Sequence, residues 1–315
     1  MRIIGLGLLF CTAFLHVGCS FLLPSNQITT QVGKCAPKMA AFFPVSNQPP
    51  AAQTPFSFSS RAIEVAAVMD SVPILARWED IEVSGGASSI PLLEVRQLLT
   101  ERLLLTLFEV SSAVAEIVCE RDRADQVADR MEEIDTGRIK QLTLISILIS
   151  GVTAVVSGGI GLAGGASMAA DAAEVSGGVL SSSFGGFALF AGSKQEFQHG
   201  RNVLKEVWDN PKLSALFSPT LWRFLQRQGG DGTAAREDVI KAWRQQGRLG
   251  EQGSSQEQER IALFFGPGGL YSAPDLRARA SMLETLQAQI QLLAEELEFF
   301  LRELQTRMWR VPQKG

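Results

Sequence analysis

The chain has 315 residues, a net charge of −4 and 46% hydrophobic residues. That length and apolar content suit one or two globular domains, and the weakly acidic balance argues against a nucleic-acid partner. Four cysteines are too few for a disulfide-built scaffold.

Residues 1–20 read MRIIGLGLLFCTAFLHVGCS. Arg2 supplies a short positive start, Ile3 to Leu15 is apolar and uncharged, and small residues surround Cys19. That order is a secretory signal, too short to span a membrane. Leu15-His16-Val17-Gly18-Cys19 resembles the lipobox of bacterial lipoproteins, although His16 stands where that family usually has Leu. The resemblance covers the first twenty residues alone. It implies cleavage of residues 1–18, acylation of Cys19 and a place in the bacterial cell envelope. Ser20, rather than Asp, after the cysteine resembles the outer-membrane sorting pattern, with the body facing the periplasm. Loss of Arg2 with the signal takes the net charge from −4 to −5.

Residues 19–60 read as a tether. Pro24, Pro37, Pro44, Pro49, Pro50 and Pro55 punctuate a stretch rich in Ser, Gln, Asn and Thr, a composition of extended, poorly packed chain. Phe42, Phe43, Phe56 and Phe58 offer an alternative, in which short segments lie on the body. Cys35 falls in this tether and Cys119 on an expected helix, so the two are not expected to pair.

Residues 61–315 form the body, which reads as all-α: an elongated helical bundle or coiled coil with a glycine-rich helical hairpin. A long helix is expected over 91–135, with Ser89 as its cap and Pro91 in its first turn. Its apolar stripe runs Leu103, Leu107, Val110, Val114, Ile117, is interrupted at Arg121, and resumes at Ala124, Ala128 and Met131.

Residues 141–193 come next. Leu142 to Ala163 is uncharged and would span about 33 Å as a helix, near the thickness of a bilayer core. Asp171 and Glu174 mark a polar turn, and Val175 to Ala191 is again uncharged. Small residues recur at every fourth position, at Ser157, Gly161, Gly165 and Ala169 and then at Gly177, Ser181 and Gly185. Such spacing lets two helices approach closely, so a packed hairpin is expected. Two settings are open for it: the core of a helical bundle, or a bilayer entered permanently or on release. Positive charge at Arg138, Lys140 and Lys194 would lie on the trans side of an inner membrane, and outer membranes normally carry barrels.

Shorter helices start near Pro211 and Pro219, Trp208, Trp222 and Trp243 anchor local packing, and 229–233 and 247–256 read as loops. The C-terminal helix, 275–309, opens with a capping box of Ser272 and Asp275. Its stripe of Leu283, Leu286, Ile290, Leu293, Leu297, Phe300 and Leu304 alternates steps of three and four, a coiled-coil seam whose natural partner is the 91–135 helix, antiparallel to it.

No catalytic pattern survives inspection. Gly159, Gly161 and Gly164 match GxGxxG, but no acid follows at the needed distance and no alternation of strands and helices surrounds them. His199 is the one histidine left after processing, so neither a multi-imidazole metal site nor a serine triad is supported; no GxSxG presents a serine. Glu132-Glu133 and Glu295-Glu296 fall on solvated helix faces, and Tyr271 has no dehydrogenase lysine. No cofactor or metal is implied. The expected function is non-enzymatic: an envelope lipoprotein, structural or adaptor in role, that meets an unknown protein partner or its own copies through helical surfaces. The competing expectation is a membrane-active protein whose 141–193 hairpin inserts into a bilayer.

Overall fold

Two helices running in opposite directions carry the fold. The computed structural model describes residues 35, 57–84, 90–162, 193–229 and 232–308; for 142, 145–162 and 308 the description covers the backbone alone. The described chain is mostly α. In order it holds α1 (Ser60–Val68), α2 (Val72–Val83), α3 (Ile90–Leu162), β1 (Gln195–Gln198), α4 (Val203–Asp209), α5 (Pro219–Gln226), α6 (Ala235–Gln245), α7 (Ser255–Phe265), β2 (Gly268–Tyr271) and α8 (Ala273–Met308).

α8 packs along α3. Arg121 donates to Gln287 Oε1 at 3.1 Å, while Arg277, ten residues earlier on α8, pairs with Asp125, Asp129 and Glu132 further along α3. Rising numbers on one helix meet falling numbers on the other, which makes the pair antiparallel. Leu283, Leu286, Ile290, Leu293, Leu297, Phe300 and Leu304 are all buried, and Leu276 and Arg279 continue the same three–four spacing toward the start of α8. Ser272 caps that start: its hydroxyl donates to Asp275 Oδ2 at 2.5 Å and accepts from the Asp275 amide at 3.4 Å.

On α3 the buried face differs from the expected stripe. Leu103, Val110, Ile117, Ala124, Ala128 and Met131 are buried, but Leu107 is 40% exposed and Val114 only half-buried. Thr106 and Glu120 take the inward positions instead, so the face runs Leu103, Thr106, Val110, Ala113, Ile117, Glu120, Ala124, with the small Ala113 half-buried. Thr106 tolerates burial because its hydroxyl donates to the Arg102 carbonyl at 2.9 Å, one turn back. A stripe drawn through apolar residues alone slips by one position at each of these sites.

α3 also runs further than expected. It continues without a break through 135–141 to Leu162, 73 residues in all and ~110 Å at the helical rise. It begins at Ile90 with Pro91 in its first turn; Ser89, the expected cap, lies outside the described residues.

The remaining helices are short and fix themselves to this pair. Ser59 caps α1 through the Ala62 amide, Ser218 caps α5, Ser254 caps α7, and Pro73 and Pro219 occupy first turns. Trp243 is buried and donates to the Met282 carbonyl of α8 at 3.0 Å. Trp208 stacks on Phe265 at 4.4 Å, and Trp222 donates to the Pro211 carbonyl at 3.1 Å. A two-stranded antiparallel ribbon, Gln195 opposite Tyr271 and Gln198 opposite Gly268, adds a little strand that sequence reading does not contain. Gly268 has φ +117°, and a Cβ there would lie 2.3 Å from the Phe197 carbonyl oxygen, so only glycine lets β2 close on β1.

The N-terminal side needs two corrections. Cys35 and Cys119 form a disulfide, with Cα atoms 5.5 Å apart, against the expectation that they would not pair. Cys119 sits at mid-helix on α3, half-buried and open to an incoming strand of chain, and position in a proline-rich segment is no barrier to reaching it. The chain also joins the body before residue 60: the Ser57 amide donates to Glu79 and the Ser59 amide to Glu303.

The shifted face on α3 makes a direct prediction. Thr106→Lys forces an ammonium into the α3–α8 contact and should cost more than ~3 kcal/mol, whereas Leu107→Lys should stay within about 1 kcal/mol, both read by urea denaturation. Equal costs, or the reverse order, would contradict the assigned face.

Candidate functional site

The least ordinary chemistry in the described chain is a buried polar knot where the ribbon, α7 and α8 meet α3. Arg279 lies on the α3-facing side of α8 and is fully buried. Its Nη1 donates to the Phe264 carbonyl at 3.0 Å and reaches Asn202 Oδ1 at 3.4 Å, while its Nε has no partner among the described residues. Asn202, which also caps α4, donates from its amide nitrogen to the carbonyls of Phe264 (2.8 Å) and Gly266 (2.9 Å). His199 Nδ1 lies 3.1 Å from the Gly266 carbonyl, and its Nε2 lies 2.8 Å from the Tyr271 hydroxyl. The Tyr271 hydroxyl has one proton, which it donates to the Leu263 carbonyl at 2.9 Å, so its oxygen accepts from His199 Nε2–H, and Nδ1 is left unprotonated 3.0 Å from the Asn202 amide nitrogen, a donor.

These contacts share one physical purpose. Leu263, Phe264 and Gly266 end α7, where carbonyls lose their helical donors; Pro267 has no amide to offer Leu263. Tyr271, Asn202 and Arg279 supply the missing donors, and the Arg279 cation sits at the negative end of the helix. Glu120, buried on α3, faces the same region with Arg123 at 3.5 Å; Arg123 in turn donates to the Gln198 carbonyl and covers the Phe197 ring, laying β1 on α3.

Burial sets the protonation of these groups. Burial, with help from the Arg279 charge, pushes His199 down to about 3, so at neutral pH the ring is neutral and a poor proton acceptor. Burial pushes the Tyr271 hydroxyl up, away from ionisation. Burial likewise raises Glu120, against the pull of Arg123 and Arg279. The knot holds no thiol and no serine.

The other sequence candidates disperse. Cys19, Gly165, Ala169, Gly177, Ser181 and Gly185 lie outside the described residues. Ser157 and Gly161 fall on the last turns of α3, and what they pack against is likewise outside the description. Glu132 pairs with Arg277, Glu133 with Arg130 and Glu296 with Arg227, which spends these carboxylates on ion pairs. A shallow groove of about 420 Å³, lined by Phe299, Arg302, Glu303, Thr306 and Arg307, opens near the end of α8. Among the described residues no group of three His, Cys, Asp or Glu could hold a metal ion. Among them, too, no helix is long and apolar enough to cross a membrane; the side chains of 145–162 and the residues 163–192 fall outside that statement.

Sequence reasoning missed Asn202, Arg279 and Glu120. Two left a legible trace, since Arg279 and Glu120 are charges at inward positions of three–four stripes. Comparison with known proteins adds nothing further: no family model, no curated protein and no solved structure matches the chain.

The His199 shift fixes a sign for acid sensitivity. Its folded value lies below the unfolded 6.5, so the stability that depends on the neutral ring is present above pH 6.5 and is lost as pH falls toward 3. The raised value of Glu120 works the other way, favouring the fold as that carboxyl takes up its proton. The comparison with His199→Gln isolates the histidine. The wild-type chain should lose stability between pH 7 and pH 4.5 with a slope of up to about 1.4 kcal/mol per pH unit, and the variant should show a flatter profile. Parallel profiles in thermal denaturation would contradict a role for His199.

Proposed function

We propose that this chain is a bacterial envelope lipoprotein, held to a membrane through acylated Cys19, with a structural or adaptor role and no enzymatic one. The Cys35–Cys119 disulfide is the observation that carries this reading. Disulfides persist in oxidising compartments, and this one begins sixteen residues after Cys19, so it supports export independently of the signal-like N-terminus. The antiparallel α3–α8 pair supports the bundle or coiled-coil scaffold of that reading. An adaptor needs a surface, and the side of α3 that faces away from α8 offers one: Ile90, Leu93, Leu104, Leu105 and Phe108 are exposed there, Phe108 by 67%. Apolar side chains gathered on one helix face suit a protein partner or a second copy. The knot fits the same reading, because its polar groups are spent on joining elements.

A second reading has its own support. α3 continues well past Asp135 into the uncharged stretch that begins at Leu142, which favours a membrane-active hairpin over 141–193. The two readings separate in one experiment. Cys19→Ala should abolish fatty-acid labelling and release the exported protein into the soluble fraction. Continued labelling of the variant would sink the lipoprotein reading, whereas an unlabelled variant that resists carbonate extraction would favour the inserted hairpin.

A further inference from the structure

Asp135 marks both the point where α3 leaves its neighbours and the point where the chain returns to them. The Ser193 amide lies 3.0 and 3.3 Å from the two Asp135 carboxylate oxygens, so residues 136–192 begin and end at one place. Before that point α3 is packed, with Met131 buried. Beyond it Arg138, Lys140, Gln141 and Thr143 are exposed, and Gly137 has nothing within 4 Å of where a Cβ would stand. Ile139 and Leu144 are exposed as well, by 42% and 60%. Lys194 is exposed on the returning strand.

Three cations thus ring the base of this excursion with two uncovered apolar side chains among them. Asp135 stands 4.0 Å from Arg138, a weak pairing at an exposed site. The acids on the near side are engaged elsewhere, Asp129 and Glu132 with Arg277 and Glu133 with Arg130. Past the ring the sequence carries no charge from Leu142 to Ala163. Cations followed by an uncharged apolar helix match the chemistry of a bilayer surface, where phosphates meet hydrocarbon.

We propose that the collar of Arg138, Lys140 and Lys194, with Ile139 and Leu144, docks on the anionic headgroups of a lipid bilayer. Chain length agrees. Cys35 is fixed to Cys119 and follows Cys19 by sixteen residues, a reach of up to ~55 Å. Cys119 to Lys140 is ~32 Å along α3. A bilayer that holds lipid on Cys19 is therefore within reach of the collar. Only this last point rests on the lipoprotein reading; the docking needs no acyl chain.

The test leaves the acyl chain out, so its failure is distinct from failure of the lipoprotein reading. The full mature chain carrying Cys19→Ser, with the disulfide intact, is floated with vesicles of phosphatidylcholine or of phosphatidylcholine mixed with phosphatidylglycerol. It should bind the mixed vesicles more tightly and lose affinity as salt rises. Arg138→Glu with Lys140→Glu should cut that binding roughly tenfold or more, given roughly fivefold per cation near an anionic surface. Arg138→Gln with Lys140→Gln should fall in between, and an unchanged thermal midpoint would verify that both variants fold. Absence of vesicle binding, equal binding to both vesicle types, or binding indifferent to the collar variants would overturn the proposal.

Discussion

The contact between α3 and α8 is the constraint on which every other element depends. α4 to α7 are seven to eleven residues long, below the length at which an isolated helix is stable in water. They persist because they find a prepared surface: Trp243 bonds to the backbone of α8, Ser218 donates to Glu109 on α3 at 2.8 Å, and Arg201 pairs with Glu116 on α3 at 2.7 Å. α1 and α2 use the other end of the pair, where Glu303 of α8 accepts from Ser59. Long helices that present apolar faces over several turns make this possible, since hydrophobic burial scales with the area removed from water.

Polar residues at inward positions give that contact its register. Arg279 and Glu120 are costly to bury, and each is tolerated only where donors and acceptors meet it. A sliding of α8 by one turn would strand Arg279 away from the α7 carbonyls and Arg277 away from its three acids. The knot thus ties the short elements to the long ones and resists alternative alignments of the pair. Seen in this light, the sole histidine beyond the N-terminal segment and the sole tyrosine of the chain meet for structural reasons, His199 serving as a neutral joint.

Legibility in the sequence followed the chemistry of each face. The α8 stripe from Leu283 to Leu304 could be read directly because no polar residue breaks it. The α3 stripe was misphased because Thr106, Ala113 and Glu120 do the work of larger apolar residues, and an apolar count passes over them to Leu107 and Val114. Pairing of Cys35 with Cys119 could not be read, since 84 positions separate them and nothing local to either cysteine marks the other. The knot was hidden for the same reason: His199, Asn202, Tyr271 and Arg279 are ordinary residues until the ribbon folds them together. Closing so long a loop restricts the unfolded chain, a stabilising effect that local sequence patterns never display.

The disulfide also changes what the N-terminal segment can be. Cys35 is fixed to α3 through Cys119, and Ser57 is fixed beside Glu79.

The antiparallel α3–α8 register is best tested by distance measurement between spin labels. Labels at Glu101→Cys and Thr306→Cys, both exposed positions that the register brings to one level, are read by double electron–electron resonance with Cys11→Ser and Cys19→Ser to remove the cysteines outside the disulfide. Helices in contact lie 8–10 Å apart, so the account predicts a label separation of roughly 20 Å. Moving the second label to Arg277 should lengthen it to more than ~40 Å, because Arg277 lies twenty-nine helical positions before Thr306. A long distance for the first pair, or a short one for the second, would contradict the antiparallel pairing and the fold built upon it.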